Sequence, residues 1–144
     1  MSLLRTTTRL EGVLPEMSRI LLVEDDRSVD RVVEVLLSLA GHNVRVATDA
    51  TQGEAAIREG GDSLVILDMN LPGGSGLELL ELLRRELKRD VPVIMLSGQK
   101  QEENVVRALE RGANDYVTKP FSPRELAARV NRWIKASGDV APVR

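Results

Sequence analysis

The chain has 144 residues, of which 42% are hydrophobic and 29% are charged, and its formal net charge is −2. This length suits one domain with one hydrophobic core, and the near-neutral charge argues against direct nucleic-acid binding through a basic surface. The absence of cysteine excludes disulfides and thiolate metal sites, and the single histidine, His42, lies in an evident turn, which argues against a histidine-based zinc site or a Ser/His/Asp hydrolase.

The two ends of the chain differ in composition from its middle. Residues 1–17 carry threonines, arginines and a proline without sustained periodicity, and we expect a flexible N-terminal arm. We expect one domain over residues 18–137 and a C-terminal tail or truncated linker over 138–144. No apolar run approaches the length of a membrane-spanning helix, and no secretory signal pattern is present. We therefore expect a cytoplasmic protein that does not contact a membrane.

The first predicted strand is the apolar run from Arg19 to Val23, which ends at the acidic turn Glu24-Asp25-Asp26. Apolar residues at helical spacing between Val29 and Ala40 then predict an amphipathic helix, with Asp30 on its polar face. We expect Asp26 to be the N-cap of this helix.

The middle of the chain predicts two more strands. Residues 43–47 alternate between polar and apolar, as expected for an edge strand, and residues 51–59 favour a short helix. The apolar run Leu64–Leu67 then leads directly into Asp68, and Pro72 and several glycines follow. Taken alone, Asp68 is either a turn residue or a functional carboxylate at the mouth of a sheet, since an unpaired carboxylate inside the sheet would be too costly.

The rest of the domain repeats the same pattern. Leucines between residues 77 and 87 predict a helix, and residues 91–96 predict a buried strand that ends at Ser97 and Gly98. A modest apolar stripe over residues 105–109 predicts the next helix. A short strand over residues 116–118 precedes Lys119, and a capping-box pattern at residues 122–125 opens the last helix.

Strands and helices therefore alternate five times, which predicts an α/β fold with a doubly wound, five-stranded parallel sheet and five helices. In such sheets ligands bind at the carboxyl ends of the strands. These ends bring together three consecutive acidic residues, Asp68, Ser97 and Lys119. Clustered carboxylates without thiol or imidazole neighbours suit a hard cation, Mg²⁺ before Ca²⁺. With the lysine and the hydroxyl they also suit a phosphoryl group, with Asp68 as the nucleophile.

Four motifs now carry a resemblance to a known family. ILLVEDD ends at Asp26, VILDMNLPGGSG surrounds Asp68, VIMLSG ends at Gly98, and GANDYVTKPF ends at Phe121. In this order and spacing they resemble the receiver domain of two-component response regulators, over about residues 18 to 136. The resemblance implies a flavodoxin-like fold with strand order 2-1-3-4-5 and phosphoryl transfer to Asp68 from a sensor histidine kinase or phosphotransfer protein.

The resemblance also implies roles for individual residues. Asp25 would hold Mg²⁺ directly and Glu24 through water, together with Asp68 and the backbone carbonyl of Asn70. Ser97 matches the hydroxyl switch residue and Gly98 the small residue that leaves room for the phosphoryl group. Lys119 matches the family's lysine, whose bond to Pro120 is usually cis, and Tyr116 the aromatic residue that swings inward on phosphorylation.

The output face implied by the resemblance consists of the fourth helix, the fifth strand and the fifth helix. The chain is most similar to receivers that form homodimers through this face by ion pairs. Four charged residues stand where such receivers place charges, and Asn114 replaces an acidic residue that is frequent there. The four are Arg107, Asp115, Glu125 and Arg129.

Two other functions remain open. An Mg²⁺-dependent phosphatase with an aspartyl nucleophile uses a similar sheet, but it places a second aspartate two residues after the nucleophile. This chain has Asn70 at that position. We therefore expect a phosphoacceptor, which is not an enzyme in its own right. The third possibility is a scaffold receiver that is not phosphorylated, and the complete set of residues at the strand ends counts against it.

Overall fold

The computed structural model describes residues 18–99 and 101–136. The predicted N-terminal arm and C-terminal tail lie outside these ranges. Within them, no helix combines the length and the hydrophobicity that a bilayer-spanning segment requires.

The core of the molecule is a five-stranded sheet in which all neighbouring strands are parallel. Its spatial order is β2-β1-β3-β4-β5, which confirms the predicted order 2-1-3-4-5. The central strand β3 is buried along its whole length. The strands are β1 (Arg19–Val23), β2 (Asn43–Ala47), β3 (Leu64–Asp68), β4 (Val93–Ser97) and β5 (Asp115–Thr118).

Five helices cover both faces of the sheet, as the repeated strand–helix pattern predicts. One core cluster contains buried residues of α2, α3 and α4, and the other contains buried residues of α1 and α5. The third helix ends in a π-helical turn over Leu82–Glu86. The helices are α1 (Arg27–Leu39), α2 (Ala50–Glu59), α3 (Gly76–Glu81), α4 (Glu102–Glu110) and α5 (Pro123–Ala136).

Two helices face the sheet differently from the prediction. In α1, Asp30 of the predicted polar face is buried at 2% exposure, whereas Val32, one of the apolar residues at helical spacing, is 49% exposed. In α4 the valines and leucine of the predicted apolar stripe are not buried, and Ala108 is. Both helices carry apolar residues on more than one side, so periodicity alone does not determine which side meets the sheet.

The chain after β3 makes a tight turn that depends on one glycine. A short antiparallel hairpin pairs Asn70–Leu71 with Gly74–Ser75, and α3 begins directly afterwards. The backbone N–H of Gly76 donates to the carbonyl of Met69 over 3.0 Å. A Cβ at Gly76 would overlap the carbonyl oxygen of Asp68 and lie 2.9 Å from the carbonyl carbon. The start of α3 therefore packs directly against the backbone of Asp68.

We predict that Gly76→Ala lowers the free energy of unfolding by about 1–3 kcal/mol or more, because the added methyl group must displace backbone. Gly98→Ala is the matched control, since a Cβ at that position would meet no atom within 4 Å. Urea unfolding followed by circular dichroism measures both variants. Equal stabilities for the two variants would contradict the proposed close contact.

Candidate functional site at the carboxyl ends of the strands

The parallel strands deliver the predicted polar residues to one edge of the sheet. Glu24 directly follows β1, Asp68 is the last residue of β3, and Ser97 is the last residue of β4. Lys119 directly follows β5. Its backbone N–H donates to the carbonyl of Ser97 over 2.7 Å, and the peptide bond from Lys119 to Pro120 is cis, as the family resemblance implies.

Glu24 is a fully buried carboxylate at this edge. Its Oε2 accepts a hydrogen bond from the backbone N–H of Asp26 over 3.0 Å, and its Oε1 lies 2.9 Å from Nζ of Lys119. Burial raises the pKa of Glu24 because it disfavours the charged form, and the neighbouring ammonium only partly offsets this rise.

Asp68 is nearly buried and shares the same lysine. Its Oδ2 lies 3.2 Å from Nζ of Lys119, and its Oδ1 accepts a hydrogen bond from the backbone N–H of Asn70 over 3.2 Å. Burial by itself would lower the pKa of Lys119, but Glu24 and Asp68 outweigh burial and the pKa is raised. The lysine is therefore a charged bridge between two carboxylates from different strands.

Three carboxylates at the site are arranged so that they could hold a metal ion. Glu24, Asp25 and Asp68 can each offer one oxygen, with these oxygens within 4.8 Å of one another. Oε1 of Glu24 is buried, and its partner among the described residues is the ammonium group of Lys119, at 2.9 Å. One lysine leaves the three carboxylates with excess negative charge. An all-oxygen set with this excess of negative charge suits a hard divalent cation.

Ser97 and Gly98 provide a buried hydroxyl beside an open position. Ser97 is completely buried, and its Oγ accepts a hydrogen bond from the backbone N–H of Gln99 over 2.9 Å. Gly98 is exposed, and the space that a side chain would occupy there is empty. The loop after β4 therefore leaves room next to a hydroxyl group that can still donate a hydrogen bond.

Gln99 is a residue of this site that the sequence reasoning missed. In addition to its N–H contact with Ser97, its carbonyl accepts a hydrogen bond from the Tyr116 hydroxyl over 2.9 Å. Its side-chain amide lies 3.4 Å from Oδ1 of Asn70. One feature of the sequence could have identified Gln99: it directly follows Ser97 and Gly98, where the fourth predicted strand ends. Tyr116 itself is half-buried and packs against the core.

Two predicted structural residues have the roles expected of them. Oδ1 of Asp26 accepts hydrogen bonds from both the backbone N–H and the hydroxyl of Ser28, which lower the pKa of Asp26 and cap α1. His42 is buried away from the site, and its Nε2 lies 2.9 Å from Oδ1 of Asn131. It joins the end of α1 to α5.

The charged residues predicted for a dimer face are mostly paired within the chain. Arg129 lies 2.8 Å from a carboxylate oxygen of Asp115 and 2.8 Å from one of Glu125. The indole N–H of Trp133 also donates to Asp115, over 2.9 Å. Arg107 is exposed on α4. Three of the four residues thus form one intramolecular cluster.

The sequence profile of the response regulator receiver domain matches residues 20–131. The phosphate regulon transcriptional regulatory protein PhoB of Pseudomonas aeruginosa is 42% identical over 120 residues, which is 83% of this chain and 52% of that protein. The transcriptional regulatory protein KdpE of Staphylococcus aureus is 39% identical over 113 residues, or 78% of this chain and 48% of that protein. The chain thus spans about half the length of these relatives.

Two solved receiver structures show the same fold. The Francisella response regulator 1452 receiver domain has a TM-score of 0.79 and 31% identity, and the match covers 83% of this chain and 98% of that chain. The BeF3-activated DrrB receiver domain has a TM-score of 0.73 and 32% identity, and covers 83% of this chain and 99% of that chain. The flavodoxin-like topology is therefore shown by both comparison and structure.

We predict that Lys119→Met destabilises the folded chain by about 2 kcal/mol or more at neutral pH, because the buried Glu24 carboxylate loses its cation. The loss should shrink on acidification. Since the folded-state pKa of Glu24 is raised, the folded chain binds a proton more tightly than the unfolded chain. Stability therefore falls as the pH rises from the ordinary glutamate pKa of about 4.3 towards neutrality, more steeply in the variant.

Urea unfolding across this pH range measures the effect, with the exposed Lys135→Met as the control. A loss of stability that is independent of pH, or that grows on acidification, would contradict the role of Lys119 as the counterion of Glu24.

Proposed function

Because the chain belongs to the response regulator receiver family, we propose that it is a phosphoacceptor of two-component signalling that receives its phosphoryl group on Asp68. The donor is the phosphohistidine of a sensor histidine kinase or of a phosphotransfer protein. The observation that carries this proposal is the contact of Lys119 with the nearly buried Asp68, beside the buried Glu24.

In the transfer step a carboxylate oxygen of Asp68 attacks phosphorus, and the bond from phosphorus to the histidine nitrogen breaks. The nitrogen keeps the bonding electron pair and the imidazole is released. The product is an acyl phosphate on Asp68. Besides the Asp68 nucleophile, the contribution of the protein is positioning and neutralisation of the phosphoryl oxygens.

Three groups of the chain support this step. The ammonium group of Lys119, already bound to Oδ2 of Asp68, is placed to neutralise a phosphoryl oxygen. The buried Ser97 hydroxyl donates to a second oxygen, and the open position at Gly98 admits the group. Mg²⁺ held by Glu24, Asp25, Asp68 and the backbone carbonyl of Asn70 would supply further neutralisation of the phosphoryl charge.

The signal then passes to the face formed by α4, β5 and α5. The Ser97 hydroxyl accepts from the backbone N–H of Gln99 and the Tyr116 hydroxyl donates to the carbonyl of the same residue, so a movement of Ser97 towards the phosphoryl group alters the contacts of Tyr116. Phosphorylation replaces the single negative charge of the Asp68 carboxylate with about two negative charges on the acyl phosphate, and it biases these contacts between two arrangements. The altered face controls an output partner or domain. We propose no nucleic-acid contact by this domain itself.

A phosphatase is the less favoured function. Asn70 stands two residues after Asp68, and an amide cannot exchange the proton that turnover requires. A scaffold receiver that is never phosphorylated is also less favoured, because Asp68 retains both a lysine partner and a potential metal cluster.

Incubation with Mg²⁺ and acetyl phosphate should add one phosphoryl group, seen by intact-mass spectrometry. Asp68→Asn and removal of Mg²⁺ with a chelator should each abolish it, because they remove the nucleophile and the charge neutralisation. Asp62→Asn is a carboxylate control, since Asp62 is bound by Arg19 and Arg45 away from the site. An unchanged mass would overturn the proposal, and continuous phosphate release over many turnovers would favour the phosphatase.

We also propose that the phosphorylated chain forms a homodimer through the α4-β5-α5 face, with Arg107, Asp115, Glu125 and Arg129 as the charged residues. The intramolecular pairs of Arg129 would then be exchanged in part for pairs across the interface.

Arg107→Ala should weaken dimerisation of the phosphorylated chain about fivefold, the effect expected of an exposed ion pair of about 1 kcal/mol. Analytical ultracentrifugation measures it, and Lys135→Ala is the exposed control. A monomer at high micromolar concentration would refute the dimer.

A further inference from the structure

The two ends of α4 are held very differently. At the N-terminal end, Gln101 provides no side-chain cap, and the first turn carries the exposed Glu102 and Glu103. The one buried residue of the helix, Ala108, lies near the C-terminal end. The helix is therefore anchored to the sheet through its last turns.

Arg84 holds the turn that follows α4. Its Nε donates to the carbonyl of Gly112 over 3.0 Å, and its Nη1 donates to the carbonyl of Arg89 over 2.8 Å. Its Nη2 donates to Oδ1 of Asn114 over 3.0 Å. One side chain thus joins the end of α3, the loop before β4 and the turn between α4 and β5.

The turn itself is built closely around this arginine. Gly112 has a φ of +110°, and a Cβ there would lie 2.9 Å from Cγ of Arg84. Arg111, the residue before Gly112, forms an ion pair in which its Nη1 lies 2.5 Å from a carboxylate oxygen of Glu81 on α3. The C-terminal end of α4 is consequently tied to α3 by two separate arginines.

The guanidinium of Arg84 makes its hydrogen bonds to neutral oxygens, and the charge of Asp90 only partly offsets the effect of burial on its pKa. Among the described residues no Asp or Glu is in ion-pair contact with it, and all three of its acceptors are neutral oxygens. Burial lowers the pKa of its guanidinium. The attachment therefore depends on the planar fork of arginine, which a lysine cannot reproduce.

We propose that Arg84 makes the turn over residues 111–114 the fixed point of α4, so that the helix moves as a lever from its N-terminal end. That free end follows the loop containing Gln99, whose carbonyl binds the Tyr116 hydroxyl. A change at the strand ends would displace the first turns of α4 most and the last turn least. The consequence for signalling rests on the proposed function, but the lever is a property of the unphosphorylated chain.

Residue-resolved hydrogen exchange on the full chain without phosphodonor tests the lever. We expect the amides of Val105 and Val106 to exchange faster than those of residues 111–113, although Val105, Arg111 and Ala113 all donate backbone hydrogen bonds. Arg84→Lys should accelerate exchange at residues 111–113 about tenfold, because it removes hydrogen bonds from a charged donor. The difference in exchange rate between the N-terminal and C-terminal ends of α4 should therefore become smaller. Arg85→Lys, at the exposed neighbouring position, should change nothing.

Asn114→Asp provides a test in the opposite direction. It keeps the acceptor oxygen, gives Arg84 a carboxylate, and should slow exchange at residues 111–113 several-fold with Val105 and Val106 unaffected. Equal exchange at both ends of α4 in the natural sequence would overturn the lever. So would a uniform acceleration over the whole domain in Arg84→Lys, which would show that Arg84 supports the fold in general. Neither result depends on phosphorylation of Asp68.

Discussion

The bridge that Lys119 forms between Glu24 and Asp68 is the interaction on which the site depends. Three strands, β1, β3 and β5, each bring one of these charged groups to the same edge of the sheet. Two carboxylates buried side by side would repel each other and resist ionisation, and a single ammonium between them makes both tolerable. The same arrangement leaves one ammonium group for three carboxylates, and an all-oxygen set with this excess of negative charge suits a divalent cation.

This electrostatic arrangement is held in place by close packing of the backbone. The turn after β3 returns so tightly that Gly76 touches the carbonyl group of Asp68, and the hairpin binds the first residue of α2 through the carbonyl of Pro72. The carboxylate of Asp68 therefore sits on a rigid strand end. A nucleophile held in this way, as proposed for Asp68, needs little reorganisation when it accepts a phosphoryl group.

The opposite edge of the sheet is held by contacts of another kind. Arginines there bind backbone carbonyl oxygens: Arg84 at Gly112, Arg89 at Ile57, and Arg45 at Ala56. These contacts fix the ends of helices at the edge farthest from Asp68. Beside Asp68, the side chain of Tyr116 is joined to the loop after β4 through its hydroxyl hydrogen bond to the carbonyl of Gln99.

Local patterns in the sequence determined much of this description. Buried parallel strands appear in the sequence as apolar runs, and polar residues mark the points where these strands end. Because a parallel sheet places those ends at one edge, the sequence predicted that Glu24, Asp68, Ser97 and Lys119 would meet. The strand order followed from the family resemblance. The tertiary structure alone decided which sides of α1 and α4 face the sheet, the burial of Asp30, the contacts of Gln99, and the pairing of Arg84 with neutral oxygens. Those features depend on the rotation of helices and on contacts between distant segments, and neither leaves a periodic signal in the chain.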